Sequence, residues 1–203
     1  MLRHSIHFTI FEKMKPMDRK TEIINCAAKL FKEKGYSAVT MRDIAQALDI
    51  KAASLYNHIK SKQEILVLIV LEIAEEFTNR INEIAFSDLN TIKKIEKVIE
   101  LHIDITIRNP DALACLNNDW MHLTDKELTY FIKMREDYEE TFRHLINTGI
   151  QSNEIKNLNP EVIIFSILST LRTLYIWYGK KNRLTESSLK KDMAEVLLKG
   201  IVN

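Results

Sequence analysis

Six small, polar or cationic residues crowd one short stretch: Lys51, Ala52, Ser54, Tyr56, Asn57 and His58, inside the run TMRDIAQALDIKAASLYNHI from Thr40 to Ile59. Side chains of these types donate and accept hydrogen bonds at close range, and base edges in a DNA major groove are read by such groups. A helix can carry them into a groove only if aliphatics pin its other side. Ile50, Leu55 and Ile59 are spaced to do that. Ahead of them, Thr40 can cap a first helix, with Asp43 as the acidic partner of a capping box. Ile44, Ala45 and Leu48 then recur at helical spacing. Asp49 falls where the chain must turn, and Asp tolerates a left-handed backbone. The stretch reads as helix, tight turn, helix. Thr40 and Arg42 at its start, and Lys60 and Lys62 just past its end, complete the expected DNA face. The two lysines are placed to meet phosphate at the positive end of the next helix.

Such a face needs a scaffold, and the flanking sequence supplies one. Residues 1–17 have no clear period and read as a flexible arm, closed off by Pro16. Asp18 is the expected cap of a helix whose face is Ile23, Ile24, Ala27, Ala28 and Phe31, ended by Gly35 in a left-handed position. Ser61 and Glu64 form a second capping box, opening a helix to about Phe86 with Ile65, Leu66, Ile69, Ile73, Phe77, Ile81 and Ile84 as its buried stripe. Further helices begin at Asp88 or Asn90, after the Asn109-Pro110-Asp111 break, at Thr124 with Glu127, at Pro160 and near Thr185. The short helix after the break runs through Leu113, Leu116 and Trp120. The next ends at Gly149, and Gly179 ends the one after it.

Composition narrows the alternatives. With 203 residues but only Gly 4 and Pro 3, and no β-branched runs bounded by turn signals, the fold class is all-α, about nine helices. The expected division is an arm at 1–17, a three-helix DNA-binding head at 18–66, and a helical ligand-binding and dimerisation body at 67–203. Net charge is +1, yet residues 1–66 hold 12 Lys/Arg against 7 Asp/Glu while the remainder holds 17 against 21. A basic head on an acidic body suits contact with phosphate at one end. Cys26 and Cys115 are isolated, without metal-like spacing, as in a reducing cytosol. No apolar run approaches a membrane span and no compact leader is visible, so the expectation is a cytoplasmic protein without membrane contact. Gly-rich phosphate loops, GxSxG and HExxH are absent, and His102, His122 and His144 fall on different helices. Catalysis, metals and cofactors are not expected.

The body carries a second set of candidates. Ile99, His102, Leu116, Asn117, Trp120, Phe131, Met134, Arg135, Tyr138, Phe165, Leu168, Arg172 and Trp177 could line an apolar cavity with a few polar groups. Arg172 could equally pair a carboxylate across a dimer, since Arg is rarely buried alone. The helix EVIIFSILSTLRTLYIWY is apolar almost all round and must be covered on several sides. Ile164, Leu171, Leu174 and Tyr175 on it, with Leu189, Met193, Val196 and Leu197 on the last helix, are the expected dimer interface, four helices across a two-fold axis.

At Gly35-Tyr36, Thr40 to Leu48, Leu55-Tyr56-Asn57-His58 and Ser61-Lys62-Gln63-Glu64-Ile65-Leu66, the chain resembles the TetR family of bacterial repressors. The match covers roughly Thr21 to Leu66. Asp49, Lys51 and Ile59 stand where the family commonly has a turn glycine, a small cap and Phe. The resemblance implies a homodimeric repressor binding a pseudo-palindromic operator in double-stranded DNA, with His58 directed at the DNA backbone and a small-molecule effector releasing it. Arg135-Glu136-Asp137-Tyr138-Glu139 and Trp177-Tyr178-Gly179, followed by Leu184-Thr185-Glu186, also resemble members that sense fatty acids or acyl-coenzyme A. The alternatives are a helical ligand-binding protein or enzyme whose head only resembles a repressor, or a dimeric adaptor without an effector.

Overall fold

The protein is described by a computed structural model covering residues 18–178 and 184–203. The expected arm at 1–17 and the expected helix stop at Gly179 lie outside the described residues. Among those residues the fold is all-α, with helices α1 (Arg19–Lys34), α2 (Met41–Ala47), α3 (Ala52–Tyr56), α4 (Lys62–Ala85), α5 (Thr91–Arg108), α6 (Pro110–Asn118), α7 (Asp125–Gln151), α8 (Pro160–Tyr178) and α9 (Glu186–Lys199). An isolated antiparallel bridge, Ile155 to Val202, ties the C-terminus to the α7–α8 connection.

Local signals account for most boundaries. The hydroxyl of Thr40 accepts from Asp43 N at 3.2 Å, and the Asp43 carboxylate accepts from Thr40 N at 2.7 Å, a complete capping box. Asp49 takes the expected positive φ, 52°. Asn90 rather than Asp88 caps α5, accepting from Lys93 N at 2.9 Å. Four details differ from expectation, the first being that Asp18 stands at the N-cap of α1 without a side-chain capping bond. Thr124 makes no capping bond, next to an Asp125 at φ 48°. Trp120 leaves α6 and begins a 3-10 turn, Trp120–His122. Gly149 does not end α7, which continues to Gln151. Its role is close approach: a Cβ there would meet Ile155 Cδ1 at 2.5 Å and Thr91 Cγ2 at 2.9 Å.

Two hydrophobic cores share one helix. The first joins α1, α2, α3 and the first half of α4, and it recruits Cys115, Leu123, Phe131 and Met134 from the body. The second joins the rest of α4 to α5, α7, α8 and α9. The head's core thus runs past residue 66, through Val70 and Ala74. At 1.5 Å per residue α4 is a rod of about 36 Å. It packs chiefly on α7 and α6, and α6 packs in turn on α1.

The phase of α8 corrects the expected interface. Ile164, Leu171, Leu174 and Tyr175 are buried against their own chain, as is Leu189 of α9. They belong to the inward stripe Ile163, Ile164, Ile167, Leu168, Leu171, Leu174 and Tyr175, spaced three and four apart. The outward stripe is Val162, Phe165, Ile176 and Trp177, with Phe165 72% exposed, and on α9 Val196 is 73% exposed. Met193 and Leu197 are half-buried. Contrary to expectation, α8 is by length and a mean hydropathy of 1.2 apolar enough to cross a membrane; its inner stripe instead fills the same core as α5 and α7.

Gly149→Ala tests the close approach. The helix-propensity gain is about 1 kcal/mol, against an overpacking cost of about 1–3 kcal/mol when three side-chain atoms must move. The variant is expected to unfold at lower urea concentration than the parent. A gain in stability would show that Ile155 and Thr91 yield freely.

Candidate DNA-binding face and ligand cavity

The head presents its polar residues outward. Leu55 and Ile59 are buried, and Ile50 is half-buried, so the opposite side of α3 faces solvent. Arg42, Lys51, Ser54, Tyr56, Asn57, His58 and Lys60 are exposed, Tyr56 by 54%, and Ala52 is half-buried. Thr40 is exposed but its hydroxyl is committed to the cap of α2. Among the described residues the side chains of Arg42, Lys51 and Lys60 make no ion pair, which leaves their charges free for phosphate.

Lys62 is different. Its ammonium donates to Tyr36 O and Val39 O, both at 2.8 Å, and sits 4.2 Å from the Tyr36 ring centroid. Those three partners close the head around the α1–α2 connection, so Lys62 is a structural cation rather than the expected phosphate contact. Glu64 also departs in detail: its carboxylate accepts from Lys60 N at 2.7 Å, one residue ahead of the Ser61 cap.

Head and body meet at a polar joint. Tyr36 donates its hydroxyl to Gln63 Oε1 at 2.7 Å, and Gln63 Nε2 donates to His122 O at 2.9 Å. The His122 ring stacks on Tyr36, with centroids 5.0 Å apart. Lys32 pairs with Asp111 at 2.7 Å, and the Cys115 thiol donates to Ala28 O at 3.7 Å. Burial, helped by the charges of Asp119 and Asp111, pushes that thiol up to about 12, so it remains protonated.

Between α4, α5, α6, α7 and α8 lies a partly open cavity of about 330 Å³. Of the thirteen residues expected around a ligand, His102, Leu116, Asn117, Trp120, Phe131, Met134, Arg135, Tyr138 and Arg172 line it. Ile99 and Leu168 are buried in the body core instead, and Phe165 and Trp177 face outward on α8. The remaining lining, Ala74, Phe77, Thr78 and Leu113, was missed. Phe77 belongs to the expected apolar stripe of α4, but nothing in the spacing separates a cavity wall from a packed core.

The cavity is aromatic with one polar side. Trp120 stacks on Phe131 at 5.5 Å, and Phe77 lies 4.6 Å from the His102 ring. His102 Nε2 and the Tyr138 hydroxyl share a 2.8 Å hydrogen bond. Arg172 donates to Glu139 Oε1 at 2.6 Å, and Arg135 Nε lies 3.6 Å from the same oxygen. Burial would raise the Glu139 carboxyl, but the hydrogen bond and charge of Arg172, with Arg135, outweigh it and hold it below the usual range. Arg172 therefore has a carboxylate partner within its own chain. Asn117 donates to Leu113 O and to Arg172 O, bracing α6 on α8. No group of three His, Cys, Asp or Glu among the described residues could hold a metal.

Burial, and secondarily the charge of Arg172, lowers the His102 imidazole to about 3. The unfolded imidazole has its ordinary pKa near 6.5. Below that value the unfolded chain takes up a proton that folded His102 refuses. Stability is therefore full above about pH 6.5 and is lost progressively as pH falls towards 3. From about pH 7.5 to about 5.5 the loss is about 1.4 kcal/mol. Urea unfolding of His102→Gln at those two values should show that much less difference than the parent. An unchanged difference would mean that folded His102 takes up a proton in this range.

Two family models match the chain: "Bacterial regulatory proteins, tetR family" over residues 23–69, and "Tetracyclin repressor-like, C-terminal domain" over 88–201, more than half of the 203 residues. The HTH-type transcriptional repressor KstR2 of Rhodococcus jostii is 25% identical over 187 residues, covering 91% of this chain and 92% of the relative. The structure of the ketosteroid transcriptional regulator KstR2 of Mycobacterium tuberculosis superposes with TM-score 0.86 at 21% identity, covering 93% of this chain and 97% of that one. The structure of AibR in complex with isovaleryl coenzyme A and operator DNA gives TM-score 0.75 at 22% identity, covering 88% and 97%. The chain belongs to the TetR family of bacterial regulatory proteins.

Proposed function

We propose that the protein is a homodimeric, ligand-responsive transcriptional repressor that releases its operator when the body cavity fills. The observation that carries this reading is the double membership of α4: Ala74, Phe77 and Thr78 line the cavity, while Ile65, Leu66 and Ile69 of the same helix sit in the head's core. An occupant that displaces Phe77 acts on a rod whose other end holds the DNA-binding helices. Two heads must meet major grooves about 34–36 Å apart, or a multiple of that. A ligand that favours another spacing weakens DNA binding, and DNA weakens ligand binding by the same factor.

Lys51 and Lys60 are read as phosphate contacts, with Tyr56 and Asn57 reading base edges, and His58 approaching the backbone as the family resemblance implies. The outward stripe of Val162, Phe165, Ile176 and Trp177, with Val196, is the proposed dimer surface. AibR is solved with an acyl-coenzyme A and its operator, which supports an apolar acyl effector here. About 330 Å³ is the small end of the usual 300–1,000 Å³ for ligand sites. It suits an acyl-sized group; a coenzyme A nucleotide would have to lie outside it. The relatives are transcriptional regulators, and we read this chain likewise as a cytoplasmic non-enzyme.

Gel shifts with DNA flanking the protein's own gene test the head. Lys60→Ala should weaken binding on all sequences alike and flatten the salt slope by about 0.9. Tyr56→Ala should lose roughly 1–3 kcal/mol at particular base pairs only. If both variants bind as the parent does, α3 is not the reader.

Sedimentation tests the dimer. A carboxylate at the centre of an apolar contact loses water without gaining a partner, at several kcal/mol. Phe165→Glu should leave a folded monomer, because the residue is exposed in one chain. Leu171→Glu, buried in the chain's own core, should fail to fold. A Phe165→Glu dimer at micromolar concentration would remove this face from the interface.

A further inference from the structure

Charge divides unevenly around the cavity. Of its thirteen lining residues two are arginines and none is a carboxylate. His102, the other titratable base in the wall, is neutral at ordinary pH. The balancing anion, Glu139, lies behind the wall, and a single oxygen of it serves both guanidiniums, at 2.6 Å from Arg172 Nη2 and 3.6 Å from Arg135 Nε. Within this cluster of described residues, one negative charge stands against two positive charges.

The arginine that matters most is underused. A guanidinium carries five N–H donors in a planar fork. Among the described residues every hydrogen bond and ion pair of the Arg172 side chain goes to that one Glu139 oxygen. Its side chain is 35% exposed, and it lines the cavity close to the 2.8 Å His102–Tyr138 pair. A carboxylate entering here finds free donors on Arg172, and apolar walls at Leu113, Leu116 and Phe131 for whatever it is attached to. Bidentate pairing of Arg with a carboxylate is stronger than the single bond now present.

We infer that the cavity selects an apolar compound bearing one negative charge, that Arg172 holds that charge, and that Glu139 is its place-holder in the empty protein. The ligand's anion competes with Glu139 for the same guanidinium. This rests on the cavity being the effector site, and goes further by fixing the ligand's charge and the residue that reads it. Tyr138 and His102 stand beside the site as a neutral hydrogen-bonding pair, able to contact the second oxygen of the same group.

The test uses the full-length dimer with two probes of the same carbon skeleton, cyclohexanebutanoate and cyclohexanebutanol, which differ only in the head group, a carboxylate against a neutral primary alcohol. Trp120 reports occupancy by fluorescence quenching, and a Trp120→Phe control, which keeps Trp177 alone, gives the part of the signal that does not come from the cavity. The carboxylate should bind at least about tenfold more tightly than the alcohol, the scale of one charged hydrogen bond. Arg172→Gln should reduce that ratio to near one with the alcohol's affinity unchanged, while Arg172→Lys, which keeps the charge, should keep part of the ratio. Glu139→Gln should tighten the carboxylate severalfold and leave the alcohol alone. Circular dichroism melts show whether each variant is folded, and the lysine variant carries the test if the glutamine one is not. If the alcohol binds as well as the carboxylate, the cavity reading stands and the anion proposal falls. If Glu139→Gln leaves carboxylate affinity unchanged or weaker, Glu139 is no place-holder. If neither probe quenches Trp120, the cavity takes no such ligand and both readings fall.

Discussion

Because α4 belongs to two hydrophobic cores at once, neither core can rearrange alone. It supplies Ile65, Leu66, Ile69, Val70 and Ala74 to the head and Ile73, Phe77 and Ile81 to the body. No Gly or Pro interrupts Lys62–Ala85, so the helix has no built-in hinge. A close-packed core resists small changes of volume. A push on one end of such a rod is passed on as translation or tilt. The head recruits Phe131 and Met134 from α7, the helix that packs most extensively on α4.

Buried polar groups in the body come in matched sets. His102 and Tyr138, each nearly inaccessible, satisfy one another, and the half-buried Arg172 is compensated by Glu139. An unpaired polar group in such a place costs a few kcal/mol, so pairing is a condition of the fold rather than an ornament. One hydroxyl, Thr106 Oγ1, is buried without a partner among the described residues. It lies in α5, whose other buried positions are mostly aliphatic.

The head was legible in the sequence and the body only in outline, for a physical reason. Head signals are local. Thr40 with Asp43, the turn at Asp49 and the apolar pins Leu55 and Ile59 each act within a few residues, so spacing alone locates them. The phase of α8 is a tertiary property. With apolar residues on nearly every side, periodicity offers no way to choose between Leu171 and Phe165 as the outward residue, and packing on α5 and α7 decides it. Lys62 shows the converse failure. A lysine at a helix start beside a DNA face reads as a phosphate contact, yet two carbonyls and an aromatic ring brought from 23 and 26 residues away claim its ammonium. Nine of the expected cavity residues do converge, drawn from α5, α6, the Trp120–His122 turn, α7 and α8. The missed wall on α4 is built from Ala74, Phe77 and Thr78, which look like core on any helix.

The route from cavity to head need not run through α4 alone. The 3-10 turn Trp120–His122 is three residues long, and its two ends face different partners. Trp120 lines the cavity, stacked on Phe131 with Arg135 5.7 Å above its ring. Two residues on, His122 stacks on Tyr36 of the head while its carbonyl holds Gln63 at the start of α4. A 3-10 turn has poorer hydrogen-bond geometry than an α-helix and is a natural place for a small adjustment. If an occupant shifts Trp120, an adjustment in this three-residue turn reaches His122 directly. The Tyr36–Gln63–His122 contacts would then have to break or follow, and in either case the head's seat on the body changes.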